Sequence, residues 1–332
     1  MKVSLTGIKP TGVPHLGNYV GAIRPALKLA ESYDEAYYFV ADYHALTTER
    51  DPALVREYTL QVAATWLACG LDPDRTVFYR QSDVPETFEL HWVLSCVTPK
   101  GMMNRAHAYK AAVEAAPDPE TADAGVNMGL YNYPVLMAAD ILIMDADVVP
   151  VGSDQMQHIE YTRDLAERLN AWIGAEHALK LPSAVAVAAE ASVVGLDGRK
   201  MSKSYGNQIP LFADRDELWK LIKRFKTDST PLEEPKDVTA AIVGVYDLFA
   251  TAEQRADLHA RLLAGGIGWG HVKQELLEVL DAALGPVRTK YHDLMADPAQ
   301  LDELLVQGGE RARERAGKVL ASVRAGVGIE RG

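Results

Sequence analysis

The first part of the chain, to about residue 150, alternates short β-rich runs with longer helical patterns, and this alternation constrains the fold more than any other feature. Runs rich in β-branched and aromatic residues predict strands at 3–7, 37–42, 76–81 and 147–152. Apolar residues that recur at spacings of three and four predict helices over 18–32, 53–69 and 85–96. Strands that alternate with helices form parallel βαβ units. We therefore expect an α/β fold, a doubly wound parallel sheet with its ligands at the carboxyl ends of the strands.

The pattern changes after Pro210, where the sequence becomes helical almost throughout. Glycine and proline predict breaks between these helices at 265–270, 285–286 and 308–309. We expect an α/β domain over 1–205, closed by the C-terminal helices, and a smaller, mainly α-helical domain over 206–332. The acidic run 115–125 contains proline and has no periodicity, so it is predicted to be a loop.

Composition and charge exclude several classes of protein. Hydrophobic residues make up 48% of the 332 residues and charged residues 24%, which argues against disorder and against a coiled coil. No apolar run reaches the length of about 20 residues that crosses a bilayer, and no signal sequence opens the chain, so a cytoplasmic protein without a membrane partner is expected. Cys69 and Cys96 are too few for a four-cysteine metal site, and we expect two buried free thiols and no structural metal. The net charge of −12 means that a nucleic-acid partner would need local basic patches.

A first candidate site lies in the run from Gly7 to Asn18, directly after the first predicted strand. Glycine lets the backbone approach a phosphate closely, and a helix that starts near Leu16 directs its free N–H groups at the anion. His15 and Asn18 are three residues apart and are expected to face the same ligand. A strand-to-helix loop that needs glycine for its geometry alone is the alternative for this run by itself.

A second candidate site is Lys200-Met201-Ser202-Lys203-Ser204, within GLDGRKMSKSYGN. Its two ammonium groups suit a pyrophosphate leaving group, because they neutralise the negative charge that develops as a phosphoanhydride bond breaks. By itself, the run is also compatible with an exposed basic turn.

The two runs together, HLGN at 15–18 and KMSKS at 200–204, resemble the two motifs of the class I aminoacyl-tRNA synthetases. Four more runs are similar to the tryptophanyl branch and follow in its order: DYHALT at 42–47, YPVLMAADIL at 133–142, PVGSDQMQHIEYTRDLAERL at 150–169 and KTDS at 226–229. The resemblance covers nearly the whole chain. It implies activation of L-tryptophan with ATP and Mg²⁺ and transfer to tRNA(Trp). It also implies a Rossmann-type catalytic domain over 1–205, a helical anticodon-binding domain over 206–332 and a homodimer.

The resemblance also implies roles at the nucleotide. The residues expected to bind ATP are Lys9, Pro10, Thr11, Gly17, Asn18, Gly152, Ser153, Asp154, Val193, Lys200, Met201, Ser202, Lys203 and Ser204. The residues expected to take part in catalysis are His15, Asn18, Lys110, Lys200 and Lys203. The match at Lys110, in AHAYKA, is looser because the surrounding residues differ. At Lys9 the chain departs from the commoner glutamine of the family, and a lysine offers hydrogen-bond donors and a charge but no acceptor.

Amino-acid selection is expected to depend on Asp140, which lies in an otherwise apolar helix. A buried carboxylate needs a hydrogen-bond donor, and the indole N–H of tryptophan is only a donor. A bond to a neighbouring arginine or to backbone is the alternative for such an aspartate. The resemblance places five more residues at tryptophan: Gly7, His44, Tyr133, Met137 and Gln155. For His44, a core histidine bonded to backbone is the alternative.

The strongest local basic signal is the helix predicted near 310–324, where Arg311, Arg315 and Lys318 are expected to contact tRNA. A solvated helix face is the alternative. Three other functions compete with the tryptophan enzyme: a tyrosyl-tRNA synthetase, a small-molecule nucleotidyltransferase and a non-catalytic RNA-binding paralogue. The MAAD run argues against a tyrosine enzyme, and the KTDS run argues against a small-molecule nucleotidyltransferase. A non-catalytic paralogue is disfavoured by four intact motif residues: His15, Asn18, Lys200 and Lys203.

Overall fold

The computed structural model describes residues 2–115, 123–152, 155–186 and 193–329. Its sheet has five parallel strands in the order β3-β2-β1-β4-β5. Their bounds are β1 Val3–Ile8, β2 Glu35–Val40, β3 Thr76–Arg80, β4 Val148–Val151 and β5 Ser183–Ala186. The order reverses beside β1, which confirms the predicted doubly wound sheet and places its ligand crevice between the ends of β1 and β4.

Helices cover both faces of this sheet. Those of the first part are α1 Leu16–Asn18, α2 Arg24–Ala30, α3 Asp42–Ala45, α4 Pro52–Ala68, α5 Glu86–Val97, α6 Lys100–Met103, α7 His107–Glu114, α8 Met128–Ile143 and α9 Met156–Ile173. A π-helical turn, Tyr19–Ile23, joins α1 to α2. The C-terminal helices are α10 Arg215–Ile222, α11 Ala241–Phe249, α12 Ala252–Ala264, α13 Trp269–Ala296 and α14 Pro298–Val327. Of the predicted loop 115–125, residues 116–122 lie outside the described residues.

Side-chain alternation along the strands divides the core in two. Tyr38 and Phe78 belong to a cluster that includes α2, α4 and the buried faces of α10 to α13. Tyr37 and Phe39 point to the other face and pack with α5, α8, α9 and the second half of α14. The first cluster contains buried residues from both sides of the predicted domain boundary at 205/206, so the two predicted domains pack against each other through this cluster. The division itself stays a prediction.

Two of the three predicted breaks in the helical region are wrong. Residues 265–268 do separate α12 from α13, and Gly265 and Gly266 there have φ values of +76° and +84°. In contrast, Pro286 lies inside α13, where buried apolar side chains before and after it keep the helix continuous. Gly308-Gly309 lies inside α14.

Gly308 and Gly309 of α14 serve close packing instead of chain reversal. Helix α14 lies against β3, and a Cβ added at Gly308 would be 1.7 Å from the Phe78 carbonyl oxygen. Arg311 Nη1 donates to the carbonyls of Pro73 at 2.9 Å and Thr76 at 3.4 Å. Only a glycine lets a helix backbone come this close to a strand backbone.

Across the described parts of the chain, no helix has both the length and the apolar character needed to cross a membrane. Within the same residues, no group of three histidine, cysteine or acidic side chains is arranged to hold a metal ion. Both cysteines are free, but the prediction that they are buried is wrong, because Cys96 is exposed and Cys69 is half-buried.

Candidate active site

The structure brings the two predicted motif loops together beside the carboxyl end of β1. The chain leaves β1 at Ile8, and His15 begins α1. The backbone N–H of Leu16 donates to Ile209 O at 3.0 Å, and that of Leu211 donates to Pro14 O at 3.0 Å. These bonds fix the first loop to the segment that follows the second loop. Lys203 Nζ joins the two loops directly by donating to the Thr11 carbonyl at 3.0 Å.

His15 is held rigidly at the start of α1. Its side chain is buried, with 8% exposure for the residue, and its backbone N–H donates to Asn18 Oδ1 at 3.1 Å. A Cβ at Gly17 would be 2.8 Å from His15 Cε1, so glycine is required for the imidazole to lie across this turn. Burial first, and the charge of Lys203 second, lower the pKa of His15. The imidazole is therefore neutral at pH 7 and can donate one hydrogen bond to a phosphate.

The second loop is organised by Asn207, a buried residue that the sequence analysis did not single out. Its Nδ2 donates to the Lys200 carbonyl at 3.1 Å and to Asp197 Oδ1 at 2.7 Å. Its Oδ1 accepts from the Ser202 N–H at 2.9 Å. One amide thus fixes the backbone on both sides of Met201. Asparagine three residues after the motif was the available signal.

Further contacts set the shape of this loop. Met201 is buried, and its N–H donates to the Val193 carbonyl at 2.9 Å. Ser202 Oγ accepts from the Ser204 N–H at 3.3 Å. Lys200 and Lys203 are both exposed, and the Lys203 ammonium group is bonded to the Thr11 carbonyl. The loop therefore presents two lysines and two hydroxyls on a fixed backbone.

Other residues predicted at ATP have differing placements. Gly152 is exposed at the end of β4, and its carbonyl accepts from the Gln155 N–H at 3.0 Å. Ser153 and Asp154 lie outside the described residues. Lys110 is exposed on α7, and in the described part of the chain no side-chain contact joins it to either loop. Its role at ATP stays a prediction.

Lys9 does not extend freely into solvent. Its Nζ donates to Thr47 Oγ1 at 3.1 Å and to Thr48 Oγ1 at 3.2 Å, while Pro10 beside it is buried. Partial burial lowers the pKa of the Lys9 ammonium. The charge is thus fixed between the first loop and the turn after α3.

The predicted tryptophan contacts centre on Asp140 of α8, which is only 3% exposed. Gln81 Nε2 donates to Oδ1 at 2.8 Å and to Oδ2 at 2.9 Å, and His44 Nε2 lies 3.0 Å from Oδ2. Burial raises the pKa of Asp140, and the bonds from His44 and Gln81 oppose that rise. An ionised carboxylate has about four acceptor sites. These three contacts therefore leave the carboxylate with acceptor capacity for one more donor.

Among the described residues, the groups bonded to the Asp140 carboxylate are the Gln81 and His44 side chains, and neither an arginine nor a backbone N–H bonds to it. A role for these residues at tryptophan stays a prediction. Tyr133 lies edge-on to His44 with ring centroids 6.1 Å apart, and its hydroxyl is 3.0 Å from His158 Nε2. Met137 is half-buried one turn before Asp140. The structure thus collects four of the predicted tryptophan contacts on α3 and α8.

Two more predicted contacts lie at strand ends. A Cβ at Gly7 would be 2.6 Å from Phe39 Cζ, so β1 has no room for a side chain there. Gln155 begins α9 and is half-buried. Gln81 was not predicted, although a polar residue at the end of the predicted strand 76–81 was an available signal.

The predicted tRNA contacts on α14 take part in packing. Arg311 donates to carbonyls beside β3, and Arg315 donates to Tyr37 Oη at 3.0 Å and pairs with Glu35. Lys318 is exposed. The two arginines therefore attach α14 to the sheet, and tRNA contact at all three residues stays a prediction.

The HLGN run after the first strand of a parallel sheet and the KMSKS loop bonded beside it are the two motifs of the class I aminoacyl-tRNA synthetases. Comparison with known proteins narrows this class. The family model described as tRNA synthetases class I (W and Y) matches residues 2–285. This chain belongs to that family.

Individual relatives agree with the family match. A tryptophan-tRNA ligase of Xanthomonas axonopodis pv. citri is 54% identical over 98% of this chain and 76% of its own length. That of Neisseria meningitidis is 48% identical over 98% of this chain and 97% of its own. The crystal structure of tryptophanyl-tRNA synthetase from Campylobacter jejuni, complexed with ADP and tryptophan, superposes with a TM-score of 0.89. It is 40% identical and covers 98% of this chain and 99% of its own.

Proposed function

We propose that this chain is a tryptophan-tRNA ligase: it converts L-tryptophan and ATP to tryptophanyl-adenylate and pyrophosphate, then transfers tryptophan to the 3′-terminal ribose of tRNA(Trp). The observation that carries the proposal is Asp140, a buried carboxylate that keeps acceptor capacity beyond its bonds with Gln81 and His44. The indole N–H is a donor without acceptor character, so it complements this carboxylate.

The first step needs no protein nucleophile. The tryptophan carboxylate attacks the α-phosphorus, a new P–O bond forms, and the bond to the bridging oxygen breaks with its electron pair leaving on pyrophosphate. Lys200 and Lys203 neutralise the charge that develops there, while His15 donates to a phosphate oxygen. In the second step a ribose hydroxyl attacks the carbonyl carbon of the adenylate and AMP leaves. Catalysis rests on positioning and electrostatics.

The described motif residues suit a triphosphate better than a bare metal ion. Amines, hydroxyls and backbone N–H groups bind phosphate oxygens, whereas Mg²⁺ prefers carboxylate and carbonyl oxygens. In the described ranges, no three acidic or histidine side chains converge to hold an ion. Mg²⁺ would therefore arrive on ATP and be held by phosphate oxygens, where it supplies further charge neutralisation.

A tyrosine enzyme is the second candidate, because the matching family covers both amino acids. The test is ATP–pyrophosphate exchange driven by tryptophan and, separately, by tyrosine. We expect tryptophan alone to drive exchange in the wild type. Asp140→Ala should raise the KM for tryptophan by about 10- to 100-fold, the range for a hydrogen bond to a charged group, and leave the KM for ATP within about twofold. Exchange driven better by tyrosine would contradict the assignment.

We also propose a homodimer, formed through an exposed apolar patch on α3 and α5. Tyr43 and Phe88 have ring centroids 4.2 Å apart, and Trp92, one turn further along α5, is 70% exposed. A contiguous exposed patch of this kind marks an interaction surface. Trp92→Glu should shift the mass measured by light scattering from dimer to monomer. Trp172→Glu, on α9 and 54% exposed, is the control and should not.

For tRNA, we propose a cationic surface at the end of α10. It comprises Lys220, Lys223, Arg224 and Lys226, which are all exposed. None of them pairs with an acidic side chain of the described residues, whereas Arg215 and Arg261 each bind two carboxylates. The N–H of Lys226 donates to Leu196 O at 3.0 Å, next to the KMSKS loop. Unpaired positive charges beside the site suit the phosphate backbone of tRNA. We also propose that the protein acts in the cytoplasm.

A further inference from the structure

Gln81 lies where β3 ends, in the turn Gln81–Asp83, and is 1% exposed. Its Oε1 accepts from the Tyr43 N–H at 3.2 Å. A backbone N–H can only donate, so the oxygen of the amide must face Tyr43 and the nitrogen must face Asp140. The orientation of the amide is therefore fixed by the chain itself.

The Gln81 nitrogen spans the Asp140 carboxylate, at 2.8 Å from Oδ1 and 2.9 Å from Oδ2. A single nitrogen at nearly equal distances from both oxygens holds the carboxylate against rotation about its Cβ–Cγ bond. His44 adds a contact to Oδ2 alone, at 3.0 Å. Oδ1 thus receives one donor from the described residues and Oδ2 receives two, so Oδ1 keeps the larger acceptor capacity.

We propose that Gln81 is a positioning residue for tryptophan selection, which holds Asp140 so that Oδ1 stays available to the indole N–H. The proposal rests on the proposed function. Gln81 does not touch the substrate and acts only through Asp140. The loss of its donors frees the carboxylate to rotate and leaves a buried charge with one partner fewer.

The test compares tryptophan with benzothienylalanine, in which a sulfur atom replaces the indole N–H. Both are measured in ATP–pyrophosphate exchange with Gln81→Met, which keeps the side-chain length and removes the N–H donors. Gln61→Met is the matched control, because Gln61 binds Glu57 within α4. We expect Gln81→Met to raise the KM for tryptophan by about 10- to 100-fold. The values for the sulfur analogue and for ATP should stay within about threefold, since neither uses Oδ1.

The preference for tryptophan over the analogue is the deciding quantity, because a merely structural role would weaken both amino acids together. An unchanged preference in Gln81→Met, whatever happens to each KM, overturns the proposal. Gln81→Glu is the second variant if the first does not fold: it keeps the acceptor for Tyr43, replaces the donor with a second carboxylate and should also lose the preference. Absence of tryptophan-driven exchange in the wild type would instead refute the proposed function.

Discussion

Replacement of Gly308 by alanine tests whether α14 is held at backbone contact with β3. The added Cβ would be 1.7 Å from the Phe78 carbonyl oxygen and 2.6 Å from its carbonyl carbon. Ordinary contact begins at 3.4 Å, so the helix must withdraw by 3.4 − 1.7 = 1.7 Å. A backbone oxygen within a parallel sheet cannot rotate away. Overpacking of a core costs about 1–3 kcal/mol, and partial loss of contact at Leu301 and Leu305 adds a fraction of the ~1.5–3 kcal/mol that each buried leucine contributes.

An alanine in a helix also gains about 0.5–1 kcal/mol over glycine. The net expectation for Gly308→Ala is therefore a loss of about 2–4 kcal/mol in the free energy of unfolding. Gly317→Ala is the control in the same helix, because its added Cβ meets nothing within 4 Å. It should stabilise by about 0.5–1 kcal/mol. Urea denaturation followed by circular dichroism compares the two. Equal midpoints would refute the close-packing argument.

Three further expectations concern function. Lys203→Ala should slow adenylate formation in single turnover by about 10²-fold or more, with tryptophan binding and the unfolding midpoint unchanged; a wild-type rate would contradict its role. Lys9→Gln should strengthen inhibition by tryptophan mimics with a neutral polar ring, because the amide restores an acceptor, and an unchanged inhibition constant would make Lys9 a neutral replacement. Lys223→Glu combined with Arg224→Glu should raise the KM for tRNA about tenfold or more without altering exchange, whereas Lys28→Glu on α2 should not; equal effects of both would remove the case for that surface.

The sequence predicts the fold well where local pattern and tertiary structure agree. Strands β1 to β4 are buried apolar runs between turns, and each lies at its predicted place. The four residues of β5, Ser183–Ala186, are small and carry little strand signal. They form a strand because Val148–Val151 offers a partner edge. Gly308-Gly309 was predicted as a break because its role also depends on tertiary structure. The sequence alone does not reveal whether a glycine forms a turn or allows a close contact.

The site divides in the same manner. HLGN and KMSKS are compact runs whose chemistry is legible from neighbouring residues, and the structure brings the two loops to within one hydrogen bond, from Lys203 to Thr11. The partner of Asp140, in contrast, is 59 residues distant in sequence. No local pattern links Gln81 to that carboxylate. The path of β3 beside β2 brings Gln81 to Tyr43, and the packing of α8 against α5 brings Asp140 to both Gln81 and His44.

The contact between α14 and β3 also has a consequence during synthesis. β3 is the last strand on its side of the sheet, and the carbonyls of Thr76 and Phe78 on its outer edge face α14. Arg311 and Thr76 are 235 residues apart, so a ribosome that adds about 5–20 residues per second leaves this edge bare for roughly 10–50 s. A bare edge is a template for pairing with another chain. In a nascent chain, α14 is therefore the segment that covers the outer edge of β3 and prevents its pairing with other nascent chains on the same polysome.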